Sequence, residues 1–164
     1  MSAAAPWRAH IAEIRRRVGE RRPFSMAAPI EEAVVGSSRV ADEPVRAECV
    51  LESVSGGITA VGTAHARWIS ECRRCLEPLG GDLDVDLDET FEDHPTPGET
   101  YPIEGDAVDL GAMVREALLL ALPLAPVCAE DCAGPAPEAF PVTVESDEPP
   151  VDLRWAALDA LRDQ

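Results

Sequence analysis

Between Asp82 and Asp88 the chain alternates strictly, with Leu83, Val85 and Leu87 standing between Asp82, Asp84, Asp86 and Asp88. A period of two marks an extended strand with one face on a core and the other in water. Here the wet face is a ladder of carboxylates. The same period recurs upstream, where Val45, Ala47, Cys49 and Leu51 alternate with Arg46, Glu48, Val50 and Glu52. Gly56-Gly57, following Ser55, reads as a hairpin turn. From Ile58 to Ile69, the residues Ile58, Ala60, Gly62, Ala64, Ala66 and Trp68 occupy one set of alternate positions. Asp side chains at i and i+2 on a strand stand ~6.5 Å apart. They form a row and do not converge on one ion, so a solvated face or a patch for a basic partner is the reading of Asp82–Asp88.

Other segments carry a helical period. Asp109 is placed to cap a helix whose broad apolar face is Leu110, Met113, Val114, Ala117, Leu118, Ala121 and Leu122. Leu119 and Leu120 widen that stripe, and Pro123 and Pro126 end it, which predicts a largely buried helix over about 110–122. Trp7, Ile11, Ile14 and Val18 recur at helical spacing near the N-terminus, and Asp152 with Trp155, Leu158 and Leu161 predicts a short C-terminal helix. Residues 92–106 read as a loop punctuated by Pro and Gly, with His94 an isolated, exposed histidine. The resulting division is a basic arm over 1–24, one domain over 25–134, a Pro- and Glu-rich linker over 135–150 and a short helix over 151–164. The fold class predicted is α+β. It consists of an antiparallel sheet from about Arg46 to Phe91, with a barrel-like closure as one form, the 110–122 helix packed on it, and short terminal helices.

Charge narrows the function classes. The chain of 164 residues has a net charge of −17, and all 14 of its basic residues are Arg. Phosphate binding is driven by basic residues displacing counterions, so free duplex DNA is excluded as a partner. Arg8, Arg15, Arg16, Arg17, Arg21 and Arg22 nevertheless cluster before Phe24, and a local basic segment can touch RNA. The N-terminus has no apolar secretory core, and the run Ala117–Val127 falls short of the ~20 residues that span a bilayer. A cytoplasmic protein with no membrane association is expected, in a compartment where thiols stay reduced.

Four of the five cysteines form close pairs, Cys72-Arg73-Arg74-Cys75 and Cys128-Ala129-Glu130-Asp131-Cys132. Two such pairs supply the four thiolates of a tetrahedral zinc site. Arg73 and Arg74 bring positive charge beside the thiolates, which lowers their pKa. The separation from Cys75 to Cys128 exceeds the ~15–20 residues of compact zinc ribbons. Unliganded thiols and a redox pair are the competing readings, although a redox Cys-X-X-Cys ordinarily opens a helix, and here Pro78 and Gly80-Gly81 come next. Cys49, among apolar alternates, reads as a buried small hydrophobe. No phosphate-cradling Gly loop, nucleophile elbow or His-Glu-X-X-His occurs, and His10, His65 and His94 are isolated. A non-enzymatic protein is expected.

The segment Glu71-Cys72-Arg73-Arg74-Cys75-Leu76-Glu77-Pro78 resembles the Cys-X-Arg-Cys mark of the large ribosomal RNA subunit accumulation proteins, the YceD family of bacteria and plastids. Tyr101-Pro102-Ile103-Glu104, then Val108-Asp109-Leu110 and Leu118 to Pro126, are similar to the family's second block. Cys128 through Cys132 to Gly134 resembles the segment next to that block. Arg22-Pro23 with Ser25-Met26, and Leu153-Arg154-Trp155-Ala156-Ala157-Leu158, resemble terminal segments of actinobacterial members. The likeness covers roughly residues 21–134 and 152–161. Many members continue into a further Cys-X-X-Cys-Gly, where this chain has Pro135-Ala136-Pro137-Glu138-Ala139-Phe140. Any metal would therefore use the four paired cysteines.

The resemblance implies a role in ribosome biogenesis, supporting accumulation or processing of 23S rRNA, with no enzymatic activity. Its implied partners are 23S rRNA or a pre-ribosomal particle, and large-subunit ribosomal protein thirty-two. Two contacts are consistent with this role: Arg15, Arg16, Arg17, Arg73 and Arg74 on rRNA, or Asp82, Asp84, Asp86 and Asp88 on a basic ribosomal protein. The acidic excess favours the second. A thiol- or zinc-dependent redox or sensing regulator using the same cysteines is the reading from another class.

Overall fold

The computed structural model describes residues 6–139 and 141. Three long strands form its frame: β5 (Val45–Val54), β6 (Gly57–Glu71) and β7 (Pro78–Glu92). They run as an antiparallel meander. Val54 stands opposite Gly57 across a tight turn, and Gly57 is flanked on its other side by Glu92, the last residue of β7. Gly56 turns the chain at φ 99°, a backbone conformation that costs glycine little. Shorter strands complete the sheet. In chain order, β1 is Arg8–His10, β2 Arg21–Ala28, β3 Val34–Val35, β4 Ser38–Val40, β8 Tyr101–Glu104 and β9 Ala107–Asp109. β2 lies antiparallel on the outer side of β5. β4 meets β6 beyond the end of β5, and β3 flanks β4. β8 pairs in parallel with the end of β7 at Phe91 and Glu92, and β9 and then β1 extend it.

The long strands bury alternate residues, as their sequence pattern demands. Val45, Ala47, Cys49 and Leu51 point inward from β5, Ile58, Ala60 and Ala64 from β6, and Leu83, Val85, Leu87 and Phe91 from β7. The sheet curls into a half-barrel over these residues. The helix α1 (Leu110–Ala121) fills its hollow with Leu110, Met113, Val114 and Leu118. Asp109 caps α1 by accepting a hydrogen bond from the Gly111 N–H at 2.9 Å. Each large apolar side chain so buried contributes roughly 1.5–3 kcal/mol. The close pairing of β5 and β6 leaves no room for a side chain at one point. At Gly62, opposite Cys49, an added Cβ would fall 2.1 Å from the Glu48 carbonyl oxygen.

Several expectations are corrected. The described residues are mostly β, with 47% strand and 11% helix, so the α+β class does not hold. The N-terminal helical spacing does not produce an α-helix. Arg8–His10 pair with Ala107–Asp109 instead, and only a short 3-10 turn, Ile14–Arg16, comes after them. Trp7, Ile11 and Ile14 are buried as their spacing suggested, but Val18 is 74% exposed and breaks the stripe. β2 runs across the expected arm boundary at residue 24. Residues 101–104, expected as loop, form β8. In α1, Leu120 is 90% exposed, so the buried stripe is narrower than the composition implied. The predicted C-terminal helix over 151–164 and most of the linker lie outside the described residues.

Gly62→Ala is expected to cost about 1–3 kcal/mol through overpacking against Glu48. Urea unfolding monitored by far-UV circular dichroism measures it. An unchanged midpoint would show that the paired strands relax freely.

Candidate metal centre

The turn between β6 and β7, residues 72–77, is shaped by its own backbone. The Cys72 N–H donates to the Glu77 carbonyl at 2.8 Å, and the Leu76 N–H to the Cys72 carbonyl at 2.9 Å. Leu76 holds φ at 64°, a left-handed conformation in which side chains are uncommon. The segment after α1 is brought against this turn. The Arg73 N–H donates to the Pro126 carbonyl at 2.9 Å, and the Ser38 hydroxyl donates to the Pro123 carbonyl at 2.5 Å. Arg74 is the strap between the two loops. Its guanidinium donates to the Glu130 carbonyl at 2.7 Å and to the Cys132 carbonyl at 3.2 Å.

These contacts gather all four paired cysteines, with their sulfurs within 4.8 Å of one another. The Cys72 and Cys132 sulfurs are 3.8 Å apart, and those of Cys75 and Cys128 3.7 Å. A tetrahedron of sulfurs ~2.3 Å from a central zinc has edges of ~3.8 Å. The donor set and its spacing thus fit a tetrahedral thiolate-bound ion. Cys72 is buried, Cys75 and Cys132 are half-buried and Cys128 is exposed, so the centre sits at the surface end of the hairpin.

The thiols are electrostatically unequal. The Cys75 amide, opposed by burial and aided by the Cys128 and Arg74 amides, brings the Cys72 thiol down to about 6. Two of those amides lie at 3.4 Å from its sulfur. The Glu77 amide draws Cys75 down, but burial and the Cys72 sulfur outweigh it, and Cys75 stands above the ordinary thiol value. Cys128 is pushed up to about 12 by the sulfurs of Cys132, Cys75 and Cys72, and then by burial. Without an ion, charge concentrates on Cys72 while Cys75 and Cys128 keep their protons. A cation at the centre reverses that preference. Cys49 stands apart in the core, and burial pushes its thiol up to about 11.

The family model described as large ribosomal RNA subunit accumulation protein YceD matches residues 60–162. The chain belongs to the YceD family. That match takes in both cysteine pairs, β7 and α1. Among curated relatives, an uncharacterized protein of Mycobacterium tuberculosis is 34% identical over 118 residues, 66% of this chain and 57% of that protein. An uncharacterized protein of Mycobacterium leprae is 33% identical over 126 residues, 70% of this chain and 58% of that protein. The chain thus spans somewhat over half the length of these relatives. No solved structure matches.

The other sequence-predicted residues are spread over the fold of this YceD-family chain. Arg73 and Arg74 are exposed on the metal-centre turn. Arg15, at the other end of the half-barrel frame, donates to Asp93 at 2.6 Å and to the Gly105 carbonyl at 3.2 Å, while Arg16 and Arg17 are exposed. Asp82, Asp84, Asp86 and Asp88 form an exposed row along the outer face of β7. Arg67 lies 3.7 Å from Asp82, and the His65 ring 2.5 Å from Asp84. Asp86 and Asp88 have no ion-pair partner among the described residues. His94 is exposed and apart from the cysteines. No helix among the described residues is long and apolar enough to cross a membrane. In the sequence, Arg74 reads only as a nearby charge. Its role as a strap between loops depends on a contact 56 positions along the chain, which spacing does not announce.

Arg74→Ala is expected to raise amide exchange across residues 128–132 by about tenfold, since hydrogen bonds to a charged group are lost. Hydrogen exchange with mass spectrometry reads it, and an unchanged rate would remove the strap.

Proposed function

We propose that this chain is a non-enzymatic assembly factor for the large ribosomal subunit, whose fold is tied by a structural zinc ion and whose acidic face engages a basic ribosomal protein. Membership of a family named for large ribosomal RNA subunit accumulation supports the process. The family's implied partners, 23S rRNA within a pre-ribosomal particle and large-subunit ribosomal protein thirty-two, are the first to test. The work would take place in the cytoplasm.

The spacing of the thiols supports zinc. All-thiolate tetrahedral sites suit zinc among soft-ligand metals, and four protein ligands leave no open position for chemistry. The ion would be held by Cys72, Cys75, Cys128 and Cys132, and would supply a cross-link between the β6–β7 turn and the segment after α1.

The acidic excess carries the choice of a basic protein over RNA, although Arg16, Arg17 and Arg73 make no ion pair among the described residues. Arg8, Arg15, Arg21, Arg22, Arg39 and Arg67 each lie within ion-pair distance of a carboxylate. Arg74 is occupied by backbone carbonyls. The β7 carboxylates are less matched, as Asp86 and Asp88 have no such partner among the described residues. A net charge of −17 repels a polyanion at long range and attracts a polycation.

Protein purified under reducing conditions is expected to carry one zinc per chain, lost in Cys72→Ser, as measured by elemental analysis. Metal-free protein with a Cys72–Cys75 disulfide would instead support a thiol regulator. Because Cys75 and Cys128 hold protons at neutral pH, zinc must displace both. Affinity is therefore expected to fall as pH drops, by at least about 100-fold per unit near pH 7, in chelator competition. A pH-independent affinity would contradict the ligand set.

Deletion of the gene is expected to lower 23S relative to 16S rRNA, with rescue by the native chain and not by Cys72→Ser. Across a salt series, binding to large-subunit ribosomal proteins is expected to exceed binding to 23S rRNA fragments. RNA binding that is tight and lost in an Arg73→Ala, Arg74→Ala variant would overturn the choice of partner.

A further inference from the structure

Among the described residues, the edge of β7 is open. β7 pairs with β6 along its whole length, from Gly57–Glu92 to Glu71–Pro78. On its other side it meets β8 only at Phe91 and Glu92. From Pro78 to Thr90, no backbone hydrogen bond runs outward from β7 to any described residue. Every second N–H and C=O of an edge strand points away from its neighbour, so this edge is a template for one more strand.

We propose that the free edge of β7 accepts an extended segment of a basic protein as an added strand, with Lys or Arg at every second position. The inference rests on the reading that the partner is basic, and it specifies how that partner is recognised. A strand laid along β7 sets its alternate side chains beside Asp82, Asp84, Asp86 and Asp88 on the outer face. Its remaining side chains fall beside Leu83, Val85 and Leu87, on the face that α1 covers. The matching segment therefore alternates Lys or Arg with Val, Ile or Leu. Backbone pairing supplies affinity, and the carboxylate row selects the partner.

Other occupants fail on charge. Two copies joined edge to edge would set Asp against Asp, which is unfavourable across strands. The chain's own residues 142–164 hold Glu145, Asp147, Glu148, Asp152, Asp159 and Asp163 against only Arg154 and Arg162. Nucleic acid meets the same repulsion. The row of Asp thus serves two ends, as it blocks self-pairing and admits a cationic strand.

The test uses the full chain and two labelled peptides of one composition. One alternates Arg with Val, and its isomer groups all Arg at one end. The alternating peptide is expected to bind at least about tenfold tighter in fluorescence anisotropy. It is also expected to slow amide exchange between Leu79 and Thr90, and Asp84→Lys with Asp86→Lys is expected to abolish both effects. Equal binding of the two peptides without β7 protection overturns the added strand while leaving a basic partner standing. Binding of neither peptide overturns both readings.

Discussion

A curled sheet with one apolar face exists only while that face is covered, and here one helix does most of the covering. Leu110, Met113, Val114 and Leu118 of α1 close over Leu83, Val85, Leu87 and Phe91. Trp7, Ile11 and Ile14 close the rest from the N-terminal side. Trp7 is fixed there by its indole N–H, which donates to the Pro29 carbonyl at 3.1 Å. Everything else is arranged by this cover. The capped start of α1 sets where the helix lies, and its end at Ala121 sets where Pro123 and Pro126 turn the chain toward the β6–β7 turn. The cysteines meet because a helix of that length spans that hollow.

The legible parts of the fold are those with a long, clean period. β5, β6 and β7 each run for 10 to 15 residues, enough for alternation to declare both the strand and its buried face. Asp109 and the apolar stripe after it declared α1. The strands outside the expected Arg46–Phe91 sheet are of 2 to 8 residues. Over such lengths a period cannot be told from chance, and pairing partners far along the chain decide the backbone. The N-terminal segment shows the conflict most clearly. Its apolar spacing suits a helix, yet Ile11 donates its N–H to the Asp106 carbonyl at 2.9 Å and extends the sheet instead. Enough such short pieces turn an expected α+β domain into a mostly β one.

At the cysteine cluster, the grouping of the four thiols was legible because close pairs of one residue type in two places leave few other uses. The electrostatics were not. Positive charge from Arg73 and Arg74 was the expected influence on the thiols. In the folded chain the leading influence on Cys72 is backbone amides aimed at its sulfur, which only the closed turn provides. Arg74 spends its charge on carbonyls of the opposite loop.

Cys75 and Cys128 stand 53 positions apart, and β7, β8, β9 and α1 all lie between them. The second pair leaves the ribosome only after those elements have been made. An ion held by all four sulfurs would close a long loop, one that the packed strands and helix also close, so its cross-link would add to a frame the core already holds. Such an ion would act as a seal, fastening the β6–β7 turn to the segment after α1.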